Sequence, residues 1–415
     1  MRNFFRRLRR TSTGGVRGYM HGSLRIAVPI HSLEPGGVER VALGLASEWE
    51  RAGHRVTIVL GRSGSANLCS APPLDYWQIP TRLSTASWET PWMVHCLYSY
   101  LVGNRADVLF CPGNTYAVVA AAVRLLLGEH APPMVLKVSN ALNRPDMPRL
   151  MRRGYGAWLR VQGGLFDRLV GLSEPMQREI RETMLARPNQ IAAIPNPILT
   201  RKRLHQLARI ECRPASVWGT RYLTAGRLVP QKNYAMLLRA FARAARPADT
   251  LTIAGEGPER AVLERLTGQL GISGQVAFAG HLASIDPLLR QADVFVLSSD
   301  YEGLPGVVVE ALASGLPILA TDCCVSMACL LDHGRTGLLV PVRCEQSFAG
   351  GLAAVRQFRT DARRAREIAA GYELESAAAR YLDMMVDLTR QCERERRHQL
   401  ALSCLSSQPF GQRFH

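Results

Sequence analysis

Lysine is nearly absent from this chain. Lys137, Lys202 and Lys232 are the only three in 415 residues, against 48 arginines, so arginine is the default cation and each lysine marks a position to remember. The ten cysteines are scattered, with no C-x-x-C pair and no Cys/His block at zinc spacing; this excludes a zinc-ribbon reading and points to reduced thiols packed as small hydrophobes. Long apolar runs are missing too. The best stretch, Tyr116 to Leu127, carries Arg124 and falls short of the ~18 to 20 apolar residues a bilayer span requires. The first residues set two phenylalanines inside an arginine run, so no secretory signal is expected. No D-x-D triplet stands at an expected strand end, and no metal is expected.

What is present describes a folded, basic, two-domain protein. With 47% hydrophobic and 20% charged residues the chain has ample apolar surface to offset its entropy, and 415 residues exceed one ordinary core. The formal charge is 51 − 34 = +17, of which residues 1 to 19 supply six arginines and no acid. That balance suits an anionic partner and says nothing about fold.

Short β-branched runs alternate with helix-length segments of mixed polarity, the pattern of parallel sheets covered by crossover helices. Leu24–Ile30, Arg55–Leu60, Val108–Phe110, Met134–Ser139, Leu169–Leu172 and Ile191–Ile194 read as strands of a first half. Tyr222–Ala225, Leu251–Ala254, Val276–Ala279, Val294–Leu297, Pro317–Ala320 and Gly337–Val340 read as strands of a second. The fold class expected is α/β, two doubly wound Rossmann-like domains facing across a cleft. Residues 1–23 are expected as a basic tail, 24–200 as the first domain and 201–375 as the second. The break falls between Asn196 and Arg221. Residues 376–390 read as an amphipathic helix able to pack on either domain and to return to the first, with Tyr381, Leu382, Met385 and Leu388 as its stripe; 391–415 read as a frayed polar tail.

Three loops of the second half each follow a strand and open a helix. In Gly226-Arg227-Leu228-Val229-Pro230-Gln231-Lys232-Asn233, a rare lysine stands at a helix start five residues after an arginine, with Asn233 as N-cap. Two cations there match a diphosphate. Gly255-Glu256-Gly257-Pro258 imitates a dinucleotide fingerprint, but Arg260 replaces the third glycine; it serves either close backbone approach or a plain turn. In Ser298 to Glu310, Glu302 lies in the loop before the helix and Glu310 about five residues inside it, some 7.5 Å along the axis. Carboxylates repel phosphate and accept hydrogen bonds from vicinal hydroxyls, so their natural targets are sugar rings at either end of a sugar nucleotide.

On these residues the chain resembles the retaining glycosyltransferases of family 4, which have the GT-B fold. Glu302 and Glu310 match the family's E-x7-E element, and Gly226, Arg227 and Lys232 its G-R-x4-K element. The resemblance implies that Arg227 and Lys232 bind the donor diphosphate, Glu310 the ribose, and Glu302 with the amides of Gly303 and Leu304 the transferred sugar. It also places Gly36 and Gly37, in the Pro35–Arg40 loop after the first strand, near the phosphate and the reacting sugar. Gly280-His281 and Ala292 to Val296 look like further family positions. The implied reaction is metal-independent transfer of a hexosyl group, with retention, from a UDP- or GDP-sugar to a saccharide or lipid-linked saccharide, in surface-polysaccharide assembly.

The acceptor side is thinner. Many relatives carry a histidine after the fourth strand of the first domain, where this chain reads Lys137 to Asn143 without one. Asn140 can donate to a sugar but cannot act as a general base. A direct role for His31, and equally for His95 or Glu34, competes with an ordinary structural one. Arg2 to Arg10 interleave apolar residues with arginine, so a cytoplasmic protein peripheral to an anionic inner membrane face is one reading and a plain tail the other; Met20, just before the first strand, leaves open a second translation start. A sugar-nucleotide epimerase or phosphorylase on the same fold is the alternative enzyme. A nucleic-acid-binding protein has only the charge in its favour, and no nucleic-acid partner is expected.

Overall fold

Every described strand runs parallel to its neighbours, and nearly all of them are followed by a described helix of the kind that crosses back over a parallel sheet. The computed structural model describes residues 22–34, 37–62, 71–81, 87–139, 142, 147–210 and 218–406, with side chains to residue 399. The expected tail up to residue 21, Gly36 and Asn140 lie outside the described residues.

The first sheet holds β1 (Arg25–Ile30), β2 (Arg55–Leu60), β3 (Asp75–Gln78), β4 (Val108–Cys111), β5 (Met134–Lys137), β6 (Arg168–Gly171) and β7 (Ile191–Ala193), in the order β3-β2-β1-β4-β5-β6-β7. The second holds β8 (Arg221–Ala225), β9 (Thr250–Ala254), β10 (Val276–Gly280), β11 (Val294–Leu297), β12 (Ile318–Thr321) and β13 (Gly337–Val340), in the order β10-β9-β8-β11-β12-β13. This is the GT-B architecture of two Rossmann-like sheets. All twelve expected strands form, to within two residues at either end. β3 is an addition. Its sequence Asp-Tyr-Trp-Gln lies half-exposed at a sheet edge and lacks the β-branched run that marks buried strands.

In both sheets the strand order reverses beside the first strand, between β1 and β4 and between β8 and β11. Ligands enter open parallel sheets at the carboxyl ends of the strands flanking such a reversal. The amino ends are pinned alike in the two sheets. Asp107, just before β4, accepts from the Arg25 amide at 2.8 Å and pairs with its guanidinium; Asp293, just before β11, does the same for Arg221, also at 2.8 Å. Asp293, expected as a family position, thus anchors the closed end of the sheet and leaves the carboxyl end for chemistry.

Burial is complete along β4, β5, β11 and β12, whose four-residue runs contact helices on both faces. The C-terminal helix Leu374–Ser406 lies on the first sheet, where Ala377, Ala378, Tyr381, Met385 and Leu388 join Trp49 and Phe110 in one core. The Trp49 indole donates to the Ala378 carbonyl at 3.1 Å, and Tyr381 meets both Trp49 and Phe110 edge to face. The helix runs well past residue 391, where the sequence suggested a frayed tail. Its later turns are rich in good helix formers and carry i,i+4 contacts such as Gln391 to Glu395 at 2.9 Å, which sustain an exposed helix without a buried face. The chain leaves the first sheet at Leu199 and returns at Leu374, and the two crossings touch: the Leu374 amide donates to the Leu199 carbonyl at 2.8 Å.

Candidate active site

The carboxyl ends of β8 and β11 carry loops bound to each other by a set of polar contacts. The Asp300 amide donates to the Gln231 carbonyl at 2.8 Å, and the Gln231 side chain returns a bond to the Tyr301 carbonyl at 2.7 Å. Asp300 accepts from Asn233 Nδ2 at 2.8 Å and from Arg343 Nε at 2.8 Å, while Ser298 Oγ donates to the Lys232 carbonyl at 2.8 Å. Asn233 also caps the helix Tyr234–Ala244 by accepting from the Met236 amide. Two loops some seventy residues apart in the chain therefore form one rigid rim.

On that rim the Lys232 ammonium makes an ion pair with the Glu302 carboxylate, both side chains largely buried. Glu302 Oε1 also accepts from Ser299 Oγ at 2.8 Å, and the Ser299 carbonyl accepts from Thr321 Oγ1 at 2.6 Å. The Glu302 amide donates to the Cys323 carbonyl at 3.0 Å, so the carboxylate is held from both sides. Gly226 lies beneath the lysine: a Cβ there would meet Lys232 Cε at 3.2 Å and the Tyr234 hydroxyl at 3.0 Å. Arg227, on the same loop, is exposed.

The glycines of the second loop serve backbone approach between loops. A Cβ on Gly255 would lie 1.9 Å from the Gly226 carbonyl oxygen, and one on Gly257 would lie 2.4 Å from the Leu228 carbonyl oxygen. The Leu228 amide donates to the Glu256 carbonyl at 2.9 Å, and the Glu259 amide to the Leu228 carbonyl at 3.1 Å. That loop supports the Arg227 to Lys232 segment from behind.

Gly303 and Leu304 continue from Glu302 into the helix Gly306–Ser314, which ends at Gly315 in the left-handed conformation, φ 78°. Glu310 sits in the middle of that helix. Burial pushes its carboxyl above the ordinary carboxylate range, against the pull of Arg40 and Arg203. Arg40 belongs to the first domain. It stands in the first turn of the helix Gly37–Arg51, and its guanidinium lies 4.0 Å from the Glu310 carboxylate across the cleft. Ser173 Oγ and Ser326 Oγ close a second contact between the domains at 2.7 Å.

On the first-domain side, Gly37 opens its helix directly after β1. His31, at the end of β1, is buried; its ring stacks on Tyr116 at 4.7 Å, and burial pushes its imidazole below the ordinary range. The His31 amide donates to the Tyr116 hydroxyl at 3.2 Å, and that hydroxyl donates to Glu39 Oε1 at 2.7 Å. His31 Nδ1 is left without a partner. The geometry thus brings Gly226, Lys232 and Glu302 together and sets Glu310 against the first domain, while His31 belongs to a separate first-domain network. Sequence reasoning missed Ser299, Arg40 and Tyr116. Ser299 had a local signal, three residues before Glu302; the other two act across elements and had none.

The family described as Glycosyltransferase Family 4 matches residues 35–202, and that described as Glycosyl transferases group 1 matches residues 219–357. The chain is 27% identical over 346 residues to the lipopolysaccharide core biosynthesis glycosyltransferase LpsD of Rhizobium meliloti, covering 82% of this chain and 90% of that protein. It is 29% identical over 235 residues to an exopolysaccharide phosphotransferase of Streptomyces coelicolor; that match takes in 56% of this chain and spans only 24% of the relative's length. The solved structure of Anabaena HepE in complex with UDP and glucose shares the fold at TM-score 0.62 and 19% identity, covering 93% of this chain and all of that one (100%).

Proposed function

Since the chain is a family 4 glycosyltransferase of the GT-B fold, we propose that it moves a hexosyl group from a nucleotide-diphosphate sugar to a saccharide or lipid-linked saccharide, with retention, in surface-polysaccharide assembly. The observation that carries this reading is the convergence of Lys232 and Glu302 on one rim at the β8/β11 reversal, where a ligand of this sheet enters. Arg227 and Lys232 take the diphosphate, Glu310 the ribose hydroxyls, and Glu302 with the amides of Gly303 and Leu304 the sugar. Gly37, which opens the helix after β1, approaches the phosphate from the first domain, and Gly36 is assigned there by the resemblance alone. A UDP donor is favoured over GDP by the UDP and glucose held in the HepE structure, and the surface-polysaccharide setting by the names of LpsD and the Streptomyces protein.

In this reading the protein's contribution to the chemistry is electrostatic. Arg227 and Lys232 stabilise the charge that develops on the leaving diphosphate, which accepts the acceptor's proton on the face it departs from, and no metal is required. Among the described residues no helix is long and apolar enough to cross a membrane. Peripheral attachment at the cytoplasmic membrane face is supported by the helix Arg149–Leu165, which carries Arg149, Arg152, Arg153 and Arg160 beside the exposed Leu150 and Met151.

The test is incubation of the full chain with UDP- and GDP-sugars in the presence of a chelator, following nucleoside diphosphate release and the anomeric configuration of the product by NMR. Retained configuration with release of UDP is the expected result. Epimerised donor, phosphate-dependent cleavage, or activity that vanishes with the chelator and returns with a divalent ion would refute the corresponding step.

A further inference from the structure

The first domain carries a second constellation at its own strand ends that none of the donor contacts uses. The helix Glu89–Gly103 begins beside the carboxyl end of β2, and along its first two turns Trp88, Trp92 and His95 form a ladder of rings. Trp88 and Trp92 meet edge to face at 5.3 Å, and Trp92 and His95 lie 5.5 Å apart at 40°. Trp92 is fixed in place, because its indole donates to the Gly61 carbonyl at 2.7 Å. Trp88 is 37% exposed, and His95 is exposed. Trp92 is half-buried against the core that Met93, Cys96, Leu97 and Tyr100 form, which leaves Trp88 and His95 as the solvent-facing rings of the ladder.

Polar groups able to pair with hydroxyls frame the ladder. The Arg62 guanidinium joins three elements, donating to Glu34 in the loop after β1 at 3.0 Å and lying 3.6 Å from Glu89 at the helix start. The Glu89 contact is an ion pair too long to be a hydrogen bond, so Arg62 Nε is left as a buried donor without an acceptor. The Arg62 amide donates to the His31 carbonyl at 2.8 Å, which brings the group against His31, whose Nδ1 is likewise unpaired. Two orphaned polar atoms in one place are unusual in a folded protein. Glu34 lies three residues before Gly37, whose helix carries the Arg40 that reaches Glu310. The constellation therefore borders the glycine-rich loop on the acceptor side of the cleft.

Exposed aromatic faces beside carboxylates and a guanidinium match the two-sided character of a sugar ring. Its C–H face is apolar and packs on an aromatic, while its rim of vicinal hydroxyls both donates to carboxylates and accepts from arginine. A lipid chain would want the aromatics without the charges, and a bare anion would be repelled by Glu34 and Glu89. We propose that Trp88 and Trp92, with Arg62, Glu34 and Glu89 at the rim, form the subsite for a neutral sugar ring of the acceptor. This rests on the transferase reading above and deepens it: the enzyme recognises a saccharide that is already glycosylated, binding one ring on the ladder while a hydroxyl of the chain reaches the donor.

The experiment is saturation-transfer NMR on the full chain in the presence of UDP, irradiating aromatic protein protons, with lactose, cellobiose and maltose as probes. Calorimetry with UDP on the same samples reports folding and the donor site separately. Transfer to the ring protons of at least one disaccharide is expected. Trp88→Ala should weaken that saccharide's affinity about tenfold, near 1.4 kcal/mol; Trp88→Phe should keep most of it, and Arg62→Gln should reduce it. A UDP-binding wild-type protein that shows no transfer to any of the three saccharides, or a Trp88→Ala protein that binds them undiminished, would overturn the subsite. A folded chain that binds neither UDP nor a UDP-sugar would overturn the donor assignment, and the subsite with it.

Discussion

Lys137 offers a quantitative test of the fold's electrostatics. It ends β5, pairs in register with Val170, is 2% exposed, and shares the sheet face of Val135 in a core of apolar residues. Burial, with no opposing carboxylate contributing, pushes its ammonium from the ordinary 10.5 down to about 8. At ~1.4 kcal/mol for each tenfold change, that displacement means the charged lysine costs the folded state about 3 kcal/mol. Below about pH 8 both folded and unfolded chains hold the proton and the cost is fully present. Between about 8 and 10.5 the folded chain has released its proton and the unfolded chain has not, so stability climbs with pH; above both values the cost is gone. Lys137→Met keeps the length and removes the charge, so at neutral pH it should stabilise the first domain by up to ~3 kcal/mol, with the gain shrinking towards zero near pH 10.5. Urea unfolding followed by tryptophan fluorescence reads this domain selectively, because Trp49, Trp77, Trp88, Trp92 and Trp158 belong to it and only Trp218 does not. A Met variant no more stable than wild type at pH 7, or a difference that stays constant from pH 7 to 10, would refute the reasoning.

The remaining expectations concern the donor site and its scaffold. Lys232→Ala should lose stability, because buried Glu302 is left without its charged partner, and its folded fraction should lose roughly 10²–10³ in kcat at saturating donor, measured as UDP release; near-normal turnover would remove Lys232 from the chemistry. The raised Glu310 carboxyl must be ionised to accept ribose hydroxyls, so donor affinity should fall on acidification earlier than an ordinary carboxylate would dictate, and Glu310→Gln should weaken binding and flatten that dependence in calorimetry from about pH 5 to 8. Gly255→Ala places a Cβ 1.9 Å from the Gly226 carbonyl oxygen at a backbone φ of 141°, so a loss of more than about 3 kcal/mol or an insoluble protein is expected; a thermal melt equal to wild type would show that the loop relaxes freely.

The sheets were legible because a parallel strand covered on both faces must be a short apolar run, and β4, β5, β11 and β12 are nothing else. β3 escaped because an edge strand has no such obligation: Asp75 to Gln78 are half-exposed and polar at both ends. The helix beyond residue 391 escaped for a related reason, since its later turns are held by helix propensity and i,i+4 contacts rather than by an apolar stripe. Within the candidate site, the sequence offered residues spaced along one loop or helix, Arg227 to Lys232 and Glu302 to Glu310, of which the structure brings Lys232 and Glu302 together. Whatever depends on two elements meeting was silent in the sequence. Nothing local to Arg40 announces that it reaches Glu310 across a cleft, and nothing local to Asp300 announces that it joins the β8 loop through Asn233 and the segment after β13 through Arg343. Gly255 and Gly257 carried an ambiguous signal, and the structure resolves it in favour of packing between two backbones.

The pairing of Lys232 with Glu302 constrains how the proposed donor would be bound. A buried carboxylate without a partner is costly, and here Lys232 and Ser299 supply its partners. An arriving diphosphate brings more negative charge than one carboxylate and competes for the same ammonium. Were Lys232 to turn to the phosphate of the proposed donor, Glu302 would lose a charged partner and keep only the Ser299 hydroxyl, leaving Oε2 and part of Oε1 to be satisfied. Hydroxyls of the transferred sugar are the donors that arrive in the same molecule, placed on the far side of the phosphate from the ribose. A nucleoside diphosphate alone would take the lysine and leave the acid stranded, whereas the complete sugar nucleotide satisfies both. On the proposed donor assignment, the Lys232–Glu302 pair would therefore favour the complete sugar nucleotide over the spent nucleotide, which must leave before the next turnover.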